Sequence, residues 1–325
     1  MRKLLGIGLI VLACCGGSGP NPNPNPNPNP HPNPNPNPAW NAGAVGANGE
    51  YVTSADGATF GELVAPTNAD LRSIYCVGKR NGWAAGDRGT LMTTTDGGTT
   101  WLVRDTGVSV SLRGVAFADA QTGLAVGDGG TLVRSTDGGA SWRLVPTTVA
   151  GALRAVAMSG ARAWVAGDAG VLLRSVDGGV SFAPVAGLPA VAWRAIRFAA
   201  DGQRGFVAGE GGALWRTLDG GATWQAAAAA PGELYGLAVT ADGQRAIAVG
   251  ARGLAWRTVD GGATWQTSTT GTTADLAAFG WNGDLDGEGW AVGQRGTIVH
   301  TLDSGAHFSI APSGTTTDLF SVEDL

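Results

Sequence analysis

Thr94-Thr95-Asp96-Gly97-Gly98-Thr99-Thr100-Trp101 is a phrase that the chain repeats. It recurs as Ser135 to Trp142, Ser175 to Phe182, Thr217 to Trp224 and Thr258 to Trp265, with a looser copy at Thr301 to Phe308 and a shortened one at Ser54 to Phe60. The aspartates of the seven copies are Asp56, Asp96, Asp137, Asp177, Asp219, Asp260 and Asp303, in steps of 40, 41, 40, 42, 41 and 43 residues. A near-constant period of this size marks a repeat architecture. Each copy carries the chemistry of a tight turn between two strands. The Asp side chain accepts hydrogen bonds from the amides of its own loop. The paired glycines permit positive φ, and the Trp or Phe that opens the next strand has a large apolar face to bury. The seven aspartates therefore read as structural.

Each period holds further strands. Leu112-Arg113-Gly114-Val115-Ala116-Phe117 reads as a first strand, and Gly123-Leu124-Ala125-Val126-Gly127 as a second that ends at a Gly-Asp-x-Gly turn. Thr131 to Arg134 is a third strand, and Trp142 to Val145, after the Asp turn, a fourth. Four short strands in about 41 residues describe one propeller blade, and no helical periodicity interrupts them. The N-terminal copy, Ala42 to Val64, has strands two to four but no first strand. The chain ends with Asp318-Leu319-Phe320-Ser321-Val322, which matches Asp275-Leu276-Ala277-Ala278-Phe279 at the start of another period. The last strand is thus expected to complete the first blade and remove its open edge. The expected fold is all-β: one seven-bladed propeller over residues 39–325.

The pattern G-x-A-V-G-x-x-G-T-x-x-x-T-x-D-G-G-x-T-W resembles the Asp-box (BNR) propellers, and within them the photosystem II stability/assembly factor family. The resemblance covers nearly all of residues 39–325. It implies a non-catalytic seven-bladed protein, lipid-anchored in some bacteria, that binds a partner through an arginine-rich face. Asp boxes also occur in sialidases, xyloglucanases and sorting receptors, so the motif speaks for fold more than for function.

The N-terminus reads as an address. Arg2-Lys3 precedes an apolar run, Leu4 to Ala13, too short to span a bilayer. It stops at Leu12-Ala13-Cys14, which resembles a bacterial lipobox and makes residues 1–13 a lipoprotein signal peptide. Cys14 is then the lipidated residue, with Cys15 the shifted alternative. From Pro20 to Pro38 every second residue is proline, and all but His31 of those between are asparagine. Residues 14–38 thus form a lipidated start and an extended spacer; at about 3.1 Å per residue the Asn-Pro tract reaches roughly 60 Å. The expected location is the bacterial cell envelope, periplasmic or surface-exposed.

Net charge −5 and only two lysines argue against a nucleic-acid binder. No positioned carboxylate pair for glycoside cleavage and no nucleophile-base set is discernible. No cofactor is expected, and the reading is a non-catalytic binder of an envelope or membrane protein. The alternative is a glycan-binding or glycoside-cleaving propeller.

Arginines carry the rest. Arg72, Arg113, Arg154 and Arg194 sit at the start of the first strand in four consecutive blades, and the turn after the second strand of those blades carries Asp87, Asp128, Asp168 and Glu210. The other blades have Tyr235, Ala277 and Phe320 against Ala251, Gln294 and Ala47, so acid and base appear and vanish together. Four ion pairs at the channel mouth are expected, structural in role. The third position of the same turn carries Arg88, Arg252 and Arg295, uncompensated and in blades contiguous once the ring closes. With Tyr235 and Phe320 they have the composition of a protein-binding surface, or of a solvated rim. Arg134, Arg174, Arg216 and Arg257 precede the Asp turns and read as blade-to-blade contacts. Asn282, Asp284, Asp286 and Glu288 resemble the first half of a calcium loop. Gly293 stands where the bidentate Glu belongs, so the segment reads as an acidic turn ahead of a calcium site, and no metal is expected.

Overall fold

The computed structural model describes residues 42–55, 58–282 and 287–323. The signal segment, Cys14, the spacer, Asp56, Asp284 and Asp286 lie outside the described residues. Seven four-stranded antiparallel sheets make up the described fold. The first strands of blades two to seven are Leu71–Val77, Leu112–Phe117, Leu153–Ser159, Trp193–Phe198, Leu234–Val239 and Leu276–Trp281. Blade one takes its first strand, Leu319–Glu323, from the far end of the chain and pairs it with Ala42–Gly46. Ala44 lies opposite Val322 and Val45 opposite Ser321. First strands pack against their neighbours all the way round, and the Leu319–Glu323 strand touches those of blades two and seven. The ring closes as the sequence pattern predicts.

Successive residues of these short strands point to opposite faces, and because each blade lies between two others the second strands of blades one, three, five, six and seven are buried at every position. The core is therefore seven clusters, one per blade interface. Ala42, Ala44, Val52, Trp290, Val292, Ile298, Leu319 and Val322 fill the joint between blades seven and one. Aromatics staple other joints. The Trp83 ring of blade two stacks on Phe117 of blade three at 3.6 Å between centroids, and Trp142 meets Phe117 edge-on. Trp164, Phe198 and Trp224 repeat the arrangement between blades four and five.

The Asp turns explain their own sequence. Asp137 Oδ1 accepts from the Ser141 amide at 2.9 Å and the Ser135 hydroxyl at 2.8 Å, and its Oδ2 accepts from the Ser141 hydroxyl at 2.6 Å. Ser135 Oγ accepts in turn from the Gly139 amide. The bonds from Ser141 hold the Asp137 carboxyl at about 2. Asp96, Asp177, Asp219 and Asp260 have the same partners at the equivalent positions. In the looser copy, His307 supplies both its amide and Nδ1 to Asp303. Gly139 has φ 84°, and a Cβ there would stand 2.9 Å from Trp83 Nε1, so the turn seats on the preceding blade. Trp83 Nε1 donates to the Gly138 carbonyl at 2.8 Å.

Candidate partner-binding face

Opposite the Asp turns, each second strand ends in glycine and enters a three-residue 3₁₀ turn: Ala47–Gly49, Asp87–Gly89, Asp128–Gly130, Asp168–Gly170, Glu210–Gly212, Ala251–Gly253 and Gln294–Gly296. The glycine is steric. A Cβ on Gly86 would lie 2.1 Å from the Asp70 carbonyl oxygen, because the turn is pressed against the start of its own first strand. That contact places turn acids and first-strand arginines on one face.

Three of the four expected ion pairs form there. Arg72 Nε donates to Asp87 Oδ1 at 2.5 Å and Nη2 to Oδ2 at 2.8 Å. Arg113 clasps Asp128 and Arg154 clasps Asp168 with the same two nitrogens, Nη2 to Oδ2 being 3.1 Å in both. Such two-point contacts are the strong form of the pair. The guanidinium of Arg72 holds Asp87 below the usual carboxylate range, and that of Arg154 does the same for Asp168.

The fourth expected pair, Arg194 with Glu210, does not form. Glutamate is one methylene longer than aspartate, and Glu210 Oε2 accepts from the Ala192 amide at 3.2 Å. Arg194 lies over the Tyr235 ring at 5.5 Å instead. Arg72, while paired, also lies 5.5 Å over Phe320. Tyr235 and Phe320 are thus half-buried partners of Arg194 and Arg72.

Arg88, Arg252 and Arg295 are exposed. Each is the middle residue of its turn, with φ of 59°, 54° and 54°. Blades three and five have glycine at this place, Gly129 and Gly211, and the others Asn48 and Ala169. Arg88 Nη2 donates to Asn68 Oδ1 at 3.0 Å. Among the described residues the guanidinium groups of Arg252 and Arg295 contact no carboxylate within ion-pair distance.

Sequence reasoning missed how this left-handed residue is held. Asp70, Glu233, Asp275 and Asp318 stand just before the first strands of blades two, six, seven and one. They accept the amides of Asn48, Gly211, Arg252 and Arg295, the middle residues of the preceding blades' turns, at 2.9, 3.0, 2.8 and 2.8 Å. Arg252 and Arg295 are therefore not without acidic neighbours: their own backbones sit on Asp275 and Asp318. The available signal was an acid immediately before the apolar residue that starts four of the seven first strands.

On the opposite face, Arg134, Arg174 and Arg216 donate to the Gly178, Gly220 and Gly261 carbonyls of the next blade's Asp turn at 2.8, 2.7 and 3.3 Å. Asn282 Nδ2 donates to Glu288 Oε2 at 2.6 Å, and His300 Nε2 is 2.8 Å from Glu288 Oε1. The two described donors of the calcium-like loop thus bond to each other. Arg197 Nη2 lies 3.7 Å from Glu323 Oε1. Blades five and one are not neighbours, so this pair bridges the channel, and nothing in the repeat pattern announced it.

A family described as photosynthesis system II assembly factor YCF48 matches residues 104–254. The solved structure "YCF48 bound to D1 peptide" superposes with a TM-score of 0.63 at 20% identity, over 84% of this chain and 85% of that one. This is a BNR-type propeller resembling the photosystem II assembly factor family. YCF48 from Cyanidioschyzon merolae gives the same TM-score at 17% identity, covering 78% of this chain and 88% of that one. The GH74 xyloglucanase from Xanthomonas campestris also gives 0.63, at 16% identity, over 85% of this chain but 55% of the enzyme. At these identities the likeness is one of fold. A comparison with curated proteins finds no match.

Proposed function

We propose that this propeller is a non-catalytic, lipid-anchored protein-binding factor of the bacterial envelope, acting in the manner of an assembly factor on an envelope or membrane protein. One observation carries the reading. Three exposed arginines occupy left-handed backbone positions, where two blades have glycine and a bulky residue is disfavoured. Ala169 shows that the fold tolerates the geometry without a functional side chain, so strain alone does not select arginine. Exposure, like charge and confinement to the contiguous blades six, seven, one and two support a surface used from outside. YCF48 having been solved with a D1 peptide supports a polypeptide as the kind of partner. Cys14 would carry the lipid, and the Asn-Pro tract would hold the propeller off the membrane.

The test is crosslinking capture from membranes with an Arg88/Arg252/Arg295→Ala triple variant. It is expected to fold normally and to capture less partner, mainly through slower association with reduced salt dependence. Unchanged capture at unchanged salt sensitivity overturns the assignment of this arc. Turnover of a polysaccharide by the wild-type protein overturns the non-catalytic reading in favour of a glycan-cleaving one.

A further inference from the structure

Arg194 is the exception in a ring of otherwise satisfied arginines. Arg72, Arg113 and Arg154 each have an aspartate of their own blade docked on Nε and Nη2. Arg194 has no such acid, because Glu210 is bonded to the Ala192 amide. Its Nε is buried and without a hydrogen-bond partner. No ion pair to Arg194 forms among the described residues. The guanidinium does have an aromatic neighbour: its Cζ lies over the Tyr235 ring of blade six, 5.5 Å from the ring centre. A buried donor left unmade is costly, and the planar guanidinium fork loses little freedom on meeting a second planar group.

We propose that Arg194, backed by Tyr235, is a subsite for one carboxylate group of a bound polypeptide, taking the place that aspartate fills in the three sister blades. The proposal rests on the protein-binding reading above and names the chemistry of one part of that ligand. The three sisters supply the chemistry of the contact, carboxylate oxygens held by guanidinium nitrogens, and because Nε is closed to solvent the incoming group must open the packing over it. The neighbouring acids are Glu210 and Glu233. Both are engaged with backbone amides, those of Ala192 and Gly211. They still oppose an incoming anion by their charge, and Glu210 in particular competes for the guanidinium. That competition makes position 210 the sharpest handle on the site. Aspartate there has the length that closes the pair in the sister blades. Glutamine removes the competing charge and keeps the length.

The experiment titrates the isolated full-length protein with N-acetyl-trialanine, with its C-terminal amide, and with an N-acetyl-aspartyl amide whose only carboxylate is in the side chain. The arginine Nε–H signals are followed by NMR, that of Arg194 being identified by its loss in Arg194→Gln. The free acid is expected to shift the Arg194 signal, and the amide to leave it unmoved. A response to the aspartyl amide as well assigns the site to carboxylates in general, and no response to it assigns the site to a chain terminus. Arg194→Gln and Glu210→Asp are each expected to weaken binding at least tenfold, and Glu210→Gln to tighten it several-fold. Equal binding of acid and amide, no shift with either acid, or unchanged affinity in Arg194→Gln would overturn the proposal. None of these readouts depends on the rim arginines or on membrane capture, so this subsite can fail while the protein-binding role stands, and the reverse.

Discussion

A single arginine can serve the fold or the surface, and the two uses predict opposite responses to mutation. Arg113→Ala leaves Asp128 without its partner. The two side chains are 29% and 36% exposed, so solvent screens the pair and the expected loss is only about 1 kcal/mol, read by urea unfolding. Arg252→Gly removes a side chain with no ion pair and relieves a left-handed backbone. It should leave stability unchanged or raised by up to about 1 kcal/mol, while partner capture falls. A stabilised variant with full capture would argue that Arg252 is mere rim. The Asp turns add a pH signature. Asp137 has its folded-state value lowered to about 2, against about 3.9 in an unfolded chain. Its stabilising share is complete above pH ~4 and is lost as pH falls toward 2. Asp137→Asn should therefore flatten that acid limb in melting curves taken across the window. At this scale the sequence was legible wherever covariation spoke: Arg113 with Asp128 was readable because both recur. The failure of Arg194 and Glu210 to pair was not. It turns on one methylene and on an amide of Ala192 that no residue pattern displays.

Strands were the most legible level, because period and alternation both act on them. The turn glycines, the Asp phrase and the apolar residues of each second strand fixed their number and order without reference to contacts. What the pattern could not show was the packing of one blade on the next. That Trp83 would stack on Phe117 and still reach the Gly138 carbonyl depends on the twist between sheets. Trp83→Phe deletes that hydrogen bond and shrinks a fully buried ring, so a loss of at least about 1 kcal/mol is expected by calorimetry. The Leu319–Glu323 strand is a harsher case. Removing residues 318–325 withdraws the buried Leu319 and Val322 from the joint between blades seven and one. At about 1.5–3 kcal/mol per buried aliphatic side chain, the expected loss is at least about 3 kcal/mol. The Ala42–Gly46 edge should also become open to pairing with other chains, visible as concentration-dependent self-association.

For the whole molecule, the proposed anchor and the fold are tested separately. Cys14→Ser is expected to move the protein from the membrane to the soluble fraction without altering its melting temperature, since the propeller is joined to that residue only through the spacer. Retention on the membrane with an acyl label would exclude Cys14 as the anchor. The position of the Leu319–Glu323 strand has a further meaning in time. Chains are made from the N-terminus, and contacts between distant segments form only after both exist. Blade one therefore waits, three-stranded, until all the other described strands have been synthesised, and the ring gains its closing hydrogen bonds from the last of them. A nascent chain that stalls or is cut short in blade seven carries an unfilled slot beside Ala42–Gly46 however well its other blades have formed. Closure thus doubles as a check on synthesis: only a chain made through Leu319–Glu323 can hide that edge from proteases and from its own siblings.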